Sequence, residues 1–450
     1  MPSVSEYAGK KILVGGAGIS GRAMMHALQD AGAQVIVANK TDVPALGAPV
    51  VVDPQTVPEG VDALLVSPGW PPSAPLVRDA ISRGITVYSE PELAWRLNAA
   101  GPRIPWLAVT GTNGKTTTVT MLASILTAAG LRTAPCGNFG YPVLSAVLDD
   151  EPYDVLAVEL SSFQLHWSRR LAPRAAVVLN LADDHLDWHG GFAAYAEAKY
   201  AMWRGVATGS VAIGNADDER VRQALPMGGV TFTLDEPASG QLGIRDGMLI
   251  DYAFSPEPVP LAPADSVRPA GQHHLANALA AAALARAYGV SAEAVAKGLA
   301  NYVPEPHRNA LVAEREGIRW VDDSKATNPH AALASLNSYE RVVWVAGGQL
   351  KGVDVDELVR AVAPRLSGAV LLGVDRAEIS AALSRHAPRL PVLEVASTDD
   401  SAMHDVVNAA ARLAKPGDTV LLAPAAASLD MFDSYAQRGR AFAHAVAGLS

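Results

Sequence analysis

Ten consecutive residues, Val109-Thr110-Gly111-Thr112-Asn113-Gly114-Lys115-Thr116-Thr117-Thr118, leave this chain few folds to choose from. The apolar run from Ile104 to Val109 reads as a buried strand, and Val119 to Leu126 reads as a helix. A strand, a glycine-bearing turn and a helix start together make a cradle for polyphosphate. Glycines let backbone N–H groups close on phosphate oxygens, and the helix start adds partial positive charge. Lys115 then supplies a cation for the β- and γ-phosphates, and Thr116 or Thr117 a hydroxyl for Mg²⁺, with Gly111, Thr112, Asn113 and Gly114 as the cradle itself. The strict P-loop pattern is not met, because Val109 stands where its first glycine belongs. A plain Gly-Thr turn entering a helix is the bland alternative, and Gly-Lys-Thr-Thr in this setting argues against it.

Around that loop the chain alternates strands and helices, which predicts an α/β protein of three domains. At 450 residues it is too long for one ordinary core. In residues 1–98, the strand Lys11 to Val14 runs into Gly16-x-Gly18-x-x-Gly21, a dinucleotide-type fingerprint that predicts a Rossmann-like domain. The loop either holds a nucleotide phosphate or merely packs helix on strand. After the second strand, Asn39-Lys40 stands where a ribose-binding acid would be, which argues against NAD. A further strand, Ala63 to Val66, ends in Ser67-Pro68-Gly69.

Residues 99–304 form the expected central mononucleotide-binding domain, entered through the polar join Asn98 to Pro102. Glu159 ends the apolar run Val155 to Val158 and is a candidate Mg²⁺ ligand, or else a strand-end charge in solvent. Asn180 to His189 crowds Asp183, Asp184, Asp187, His185 and His189 into one strand-to-helix loop, which either suits a second metal or a phosphoryl group or is simply a solvated acidic loop. Lys199, among alanines and aromatics on the next helix, reads by spacing alone as a surface or snorkelling lysine. Val211 to Val267 turns to short strands and predicts a small β-rich insertion.

Residues 305–450 follow the linker Tyr302 to Pro306 and form a third, C-terminal Rossmann-like α/β domain. Three of its strands end in polar loops, at Asp322 to Asn328, Gly347 to Gly352 and Pro424 to Phe432. Any one of these loops also reads as an ordinary β–α turn, but together their lysines and hydroxyls at strand ends suit a carboxylate-bearing ligand better than a nucleobase. The net charge of −10 argues against a general nucleic-acid binder. A single cysteine, Cys136, excludes internal disulfides and reads as a packed small residue. Met1 to Lys11 lacks a signal peptide's apolar stretch, and Leu275 to Ala287 is too short to span a bilayer. A cytoplasmic monomer without membrane or nucleic-acid partners is expected.

Taken together, Gly111 to Thr117, Glu159-Leu160-Ser161-Ser162-Phe163-Gln164, Asp184-His185-Leu186-Asp187 and His307-Arg308 resemble the Mur ligase family, the ATP-dependent amide-forming enzymes of peptidoglycan synthesis. Asp323 to Asn328, Ala427-Ser428-Leu429-Asp430 and Gln437-Arg438-Gly439 resemble its D-glutamate-adding branch. The resemblance implies that ATP phosphorylates the carboxylate of UDP-N-acetylmuramoyl-L-alanine and that the amine of D-glutamate displaces the phosphate. It implies catalytic roles for Lys115, His185 and Lys199. Two Mg²⁺ sites are implied, built from Thr116, Glu159, His185 and Lys199, the last as a carbamate. Asn277, Arg308 and Asp323 are implied as further ATP contacts. Ile19, Ser20, Ser67, Gly69 and Asn138 are implied on the UDP-substrate side. Lys325, Thr327, Lys351, Ser428 and Tyr435 are implied on the D-glutamate side. A sister ligase adding another amino acid is one rival reading, which the third-domain loops argue against; a folylpolyglutamate synthase, an NAD-dependent enzyme and a nucleotide-sensing protein are the others. The first glycine-loop domain, the missing ribose acid and the joint presence of Lys115, Glu159, His185 and Lys199 argue against them in turn.

Overall fold

Apolar strands alternating with helices build three sheets in the computed structural model, which describes residues 6–43, 47–205, 209–397 and 402–449. The outer ends of the expected first and third domains lie outside those residues. The first sheet holds β1 (Lys11–Gly15), β2 (Gln34–Asn39), β3 (Val50–Val52), β4 (Ala63–Val66) and β5 (Thr86–Ser89), all parallel, in the order β3-β2-β1-β4-β5. Leu13, Leu64 and Val66 enter one core, and Ile12, Val14 and Leu65 enter another. Apolar residues on both faces are what a parallel sheet covered on both sides requires. The order reverses at β1, so the Gly16–Gly21 loop opens at the switch point where ligands of such sheets bind.

The second sheet has nine strands: β6 (Trp106–Thr110), β7 (Thr133–Gly137), β8 (Val155–Glu159), β9 (Ala175–Val178), β10 (Val211–Asn215), β11 (Val230–Phe232), β12 (Gln241–Arg245), β13 (Met248–Tyr252) and β14 (Val259–Pro263). Their order is β14-β13-β12-β11-β10-β9-β6-β8-β7. Strands β7 to β12 pair in parallel, and β13 and β14 add on antiparallel. The segment expected to be a β-rich insertion therefore prolongs the central sheet itself. Ile213 pairs with Val177, and Phe232, Leu242, Leu249 and Leu261 join the core that also holds Leu107 and Val109. Helix Gln272–Tyr288 carries an unbroken buried run from Ala278 to Ala285. A helix apolar on every side belongs inside, and alanine lets neighbouring elements approach it closely.

The third sheet takes β15 (Ala310–Arg315), β16 (Ile318–Asp322), β17 (Val342–Gly347), β18 (Leu366–Leu372), β19 (Val392–Glu394) and β20 (Thr419–Leu422) in the order β15-β16-β20-β17-β18-β19. Only β15 runs antiparallel to its neighbour among these described strands. By contacts the chain divides into two units, one comprising the described residues up to Val267 with Leu275–Tyr302, the other Arg268–His274 with the described residues from Val303 onward. Within the first unit, the first two sheets share a core in which Tyr88, Leu93 and Leu97 pack with Trp106, Leu144 and Leu165. The join between them is ordered. Asn98 Nδ2 donates to Ile104 O and Ile104 N–H donates to Asn98 Oδ1, each at 2.8 Å.

Candidate active site

Strand β6 sits between β9 and β8, with Thr110 opposite Val178 and Val109 opposite Glu159. Three strand ends thus reach the same level, and the phosphate loop leaves from the middle one. Helix Lys115–Ala128 begins directly after Gly114, which is left-handed at φ +83°. A Cβ there would fall 2.3 Å from Asn277 Oδ1, so only glycine lets Asn277 lie against the loop. On the other side, Asn113 and Asn180 interlock. Asn113 N–H donates to Asn180 Oδ1 at 2.8 Å, and Asn180 Nδ2 donates to Asn113 O at 3.1 Å. Thr112 N–H donates to Asn180 O, and its Oγ1 lies 2.7 Å from the Tyr195 hydroxyl. The loop is held from three directions before any ligand contact is considered, which is the preorganisation that phosphate binding needs.

Two lysines converge on one carbonyl of this loop. Lys115 Nζ donates to Gly111 O at 3.0 Å and to Thr112 O at 2.8 Å, and Lys199 Nζ donates to Gly111 O at 2.7 Å. Lys199 is only 2 % exposed, so the surface reading of it is wrong. Burial, reinforced by the charge of Lys115, drives its amine far below the ordinary lysine range. A buried, neutral amine is the species able to take up CO₂ and become an anionic oxygen ligand.

Thr116 and Glu159 supply hard oxygen donors beside them. Thr116 Oγ1 donates to Glu159 Oε2 at 2.7 Å, and Asn138 Nδ2 donates to Glu159 Oε1 at 3.0 Å. Glu159 is 2 % exposed, which removes the alternative of a solvent charge. A hydroxyl and a carboxylate this close match the ligand chemistry of Mg²⁺. His185, left-handed at φ +52°, packs its ring 4.7 Å from that of Phe163 and lies 3.5 Å from Asp184. Burial lowers its pKa against the pull of Asp184, with Lys115 and Lys199 adding to the lowering. A neutral imidazole is the form that binds metal. His189 packs its ring 5.7 Å from the same Phe163 and meets Ser162 Oγ at 3.0 Å.

In the first sheet, Ile19 and Ser20 open helix Ile19–Asp30, and Ser67 and Gly69 follow β4, at the ends of the two strands that flank the switch point. Ile19 is 71 % exposed, an apolar side chain presented outward from a glycine loop.

The second unit gathers the third-sheet residues. Asp323 accepts Asn309 N–H at 3.2 Å, and loss of water around it pushes its carboxyl up to about 6 against the pull of Ser335 and Arg308. Neighbouring Asp322 receives His307 Nδ1 at 2.5 Å and Ser324 N–H at 2.9 Å. Lys325 Nζ lies 4.1 Å above the Tyr435 ring. Lys351, at φ +57°, is fixed by Leu350 N–H donating to Asp375 Oδ2 at 2.7 Å. Thr327 follows Lys325 in the same loop, its N–H donating to Lys325 O, whereas Ser428 is buried at the end of its own loop.

A family model described as the Mur ligase middle domain matches residues 109–285, and one described as the Mur ligase glutamate ligase domain matches residues 307–426. The UDP-N-acetylmuramoylalanine--D-glutamate ligase of Thermobifida fusca is 51% identical over 468 residues, covering 99% of this chain and 100% of that protein. The chain belongs to the Mur ligase family. A protein of the same name from Streptomyces coelicolor is 51% identical, with 98% of each chain covered. Among solved Mur ligases, the UDP-N-acetylmuramate-alanine ligase of Thermotoga maritima shares the fold at a TM-score of 0.61 and 17% identity, covering 97% of this chain and 99% of that one.

For a Mur ligase, two residues without an assigned role in the sequence hold others in place. Arg438 is 1 % exposed and threads three strand-end loops. It donates to Ser324 Oγ and O at 3.0 and 2.9 Å, to Gly347 O at 3.3 Å and to Ala426 O at 3.2 Å. Burial lowers even this guanidinium to about 10. Its only local signal is the Gln437-Arg438-Gly439 motif, which carries no mechanism by itself. Tyr195 was equally silent, although it lies one helical turn before Lys199 on the same face.

Proposed function

We propose that this chain is an ATP-dependent ligase that joins D-glutamate to UDP-N-acetylmuramoyl-L-alanine through an acyl phosphate, releasing ADP and phosphate, for peptidoglycan precursor synthesis. The observation that carries the reading is the convergence of Lys115, Lys199, Thr116 and Glu159 on the loop after β6. The near-full-length relatives at about half identity give the substrates their names.

In this reading, the loop N–H groups and Lys115 hold the ATP phosphates, with Asn277, Arg308 and Asp323 as further ATP contacts. Thr116 and Glu159 hold one Mg²⁺, and His185 with carbamylated Lys199 holds a second. Bound there, Mg²⁺ would neutralise charge building on the transferring phosphoryl group. Ile19, Ser20, Ser67 and Gly69 take the uridine nucleotide, and Asn138 steadies the muramoyl end. Lys325, Thr327, Lys351, Ser428 and Tyr435 receive D-glutamate, whose two carboxylates call for paired cations and hydroxyls. Binding and orientation do most of the work, since the reacting atoms need to be brought together rather than chemically transformed by a side chain. In this reading residues 1–98, 99–304 and 305–450 serve as three functional domains, and the enzyme acts as a cytoplasmic monomer. No helix among the described residues is long and apolar enough to cross a membrane.

The test is phosphate release from ATP and Mg²⁺ with UDP-N-acetylmuramoyl-L-alanine, varying the amino acid. Release is expected with D-glutamate. Release with L-amino acids but not with D-glutamate overturns the assignment in favour of a sister ligase.

A further inference from the structure

Helix Glu90–Ala100 begins where β5 ends, and its start is unusually polar for a buried place: Ser89, Glu90 and Glu92 are all within 2 % of full burial. Two of them are fully accounted for. Ser89 Oγ donates to Gln164 O at 3.0 Å and lies 2.8 Å from Ser168 Oγ. Glu92 Oε2 accepts the N–H groups of Arg169 and Arg170, both at 2.9 Å, while its Oε1 meets Arg96 at 3.1 Å.

Glu90 is different. Its Oε1 accepts the N–H of Leu144 at 2.6 Å, across 54 residues of sequence, and its Oε2 has no hydrogen-bond partner among the described residues. A carboxyl at a helix start can serve its own helix, but this one reaches out to another. Burial pushes it up to about 7, and the Cys136 thiol nearby on β7 is itself pushed up by burial. Ser20, Ser89, Gln164 and Trp167 line the crevice that also includes Glu90, and none of these four titrates.

Leu144 lies in the short helix Val143–Val147, joined through Tyr141 and Pro142 to the loop Gly137-Asn138-Phe139-Gly140. That loop is pressed onto the end of β8. Gly137, at φ +115°, lies so close that a Cβ would fall 2.1 Å from Glu159 O. Gly137 N–H donates to Tyr141 O at 2.8 Å, and Asn138 N–H to Glu159 O at 2.9 Å. The Asn138 side chain then meets the Glu159 carboxylate, which meets Thr116. An unbroken path of contacts therefore joins the end of the first sheet to the candidate metal site.

We propose that Glu90 is a positioning residue: by holding the Leu144 N–H it fixes the Gly137–Gly140 loop and so aims Asn138 at both Glu159 and the sugar-nucleotide substrate. The role rests on the functional reading above for the identity of that substrate, but not for the loop contact. The carboxyl acts through the loop and never touches the reacting atoms.

The experiment compares Glu90→Ala, Glu90→Asp and Glu90→Gln in the full chain by hydrogen exchange over residues 137–147 and by KM for each substrate. Glu90→Gln keeps the acceptor and should rescue both readouts. Glu90→Ala should lose protection over 137–147 and raise KM for the UDP-substrate about tenfold, equivalent to one lost loop-ordering contact. KM for D-glutamate should stay within about twofold, because that side is built on other loops. Glu90→Asp, shorter by one methylene, should fall between. If Glu90→Ala does not fold, the Gln–Asp contrast decides. Wild-type protection and wild-type KM in a folded Glu90→Ala, or in Glu90→Asp should Ala not fold, overturn the proposal. A wild-type chain inactive with D-glutamate would sink the functional reading instead, and the exchange measurement would still judge the loop contact.

Discussion

Replacing Arg438 by Met probes the way the third sheet presents its loops. Methionine fills the space of the aliphatic stem but leaves Ser324 Oγ, Ser324 O, Gly347 O and Ala426 O without the guanidinium. At about 1.5 kcal/mol for each acceptor of a charged donor, that loss is about 6 kcal/mol. Against it stands the relief of no longer burying a cation. The lowering of the guanidinium to about 10 corresponds to about 3 kcal/mol. The net expectation is a destabilisation of about 3 kcal/mol, large for one substitution but short of unfolding the unit. Urea denaturation followed by a probe placed in the third sheet should show a midpoint lower by about 1.5 M, for a slope near 2 kcal/mol/M. Because the three loops carry Lys325, Lys351 and Ser428, KM for D-glutamate should rise while KM for the UDP-substrate holds. Arg438→Lys keeps the charge without the planar fork and should recover only part of either loss. A midpoint within about 0.3 M of wild type, with an unchanged KM for D-glutamate, would refute the claim that Arg438 organises these loops.

Three other outcomes are expected. Lys199→Ala should abolish activity that millimolar acetate partly restores, by offering the lost carboxylate oxygens; full activity without additive would contradict a carbamate. Gly114→Ala should raise KM for ATP at least about tenfold, since a left-handed alanine costs about 1–2 kcal/mol and its methyl displaces Asn277, and equilibrium binding of ATP checks it. Glu90 titrates near 7 when folded and near 4.5 when not, so the folded state binds its proton more tightly. Its contribution is present in full below 4.5, is lost as pH rises toward 7, and is constant above that, a change of up to about 3 kcal/mol. Glu90→Gln should therefore remove that part of the stability–pH slope, and parallel denaturation curves at pH 5 and pH 8 in the two proteins would show that it does not.

The strand–turn–helix layout around Gly111 to Gly114 and the strand-end place of Glu159 were legible because each is written in its own short stretch, whereas the contact of Glu159 with Thr116, 43 residues away, was not. Lys199 was misread for a correctable reason. It lies four residues after Tyr195 and three before Met202, on the buried stripe of helix Phe192–Arg204, and a lysine there belongs inside. The strands from Val211 to Pro263 were visible as strands. Their membership of the central sheet was not, because pairing between Ile213 and Val177 is a long-range fact that local pattern cannot carry. Glu90 was hidden behind an ordinary acidic helix start, and Arg438 behind a motif whose partners lie 12 to 114 residues away.

The alternation along β8 works as a reading frame. Val155 and Ala157 point into the core shared with Val109, Val119 and Met121, while Leu156 and Val158 point into the opposite one with Trp106 and Ala108. Glu159 inherits the parity of Ala157, and so it emerges on the side covered by helix Lys115–Ala128, where Thr116 waits. Losing one residue within this strand would keep every apolar side chain buried in one core or the other, since both cores accept them. The carboxylate alone would be turned through half a revolution, away from Thr116 and Asn138. A chain altered in that way could fold, pass for native by its secondary structure, and be unable to bring that carboxylate to Thr116.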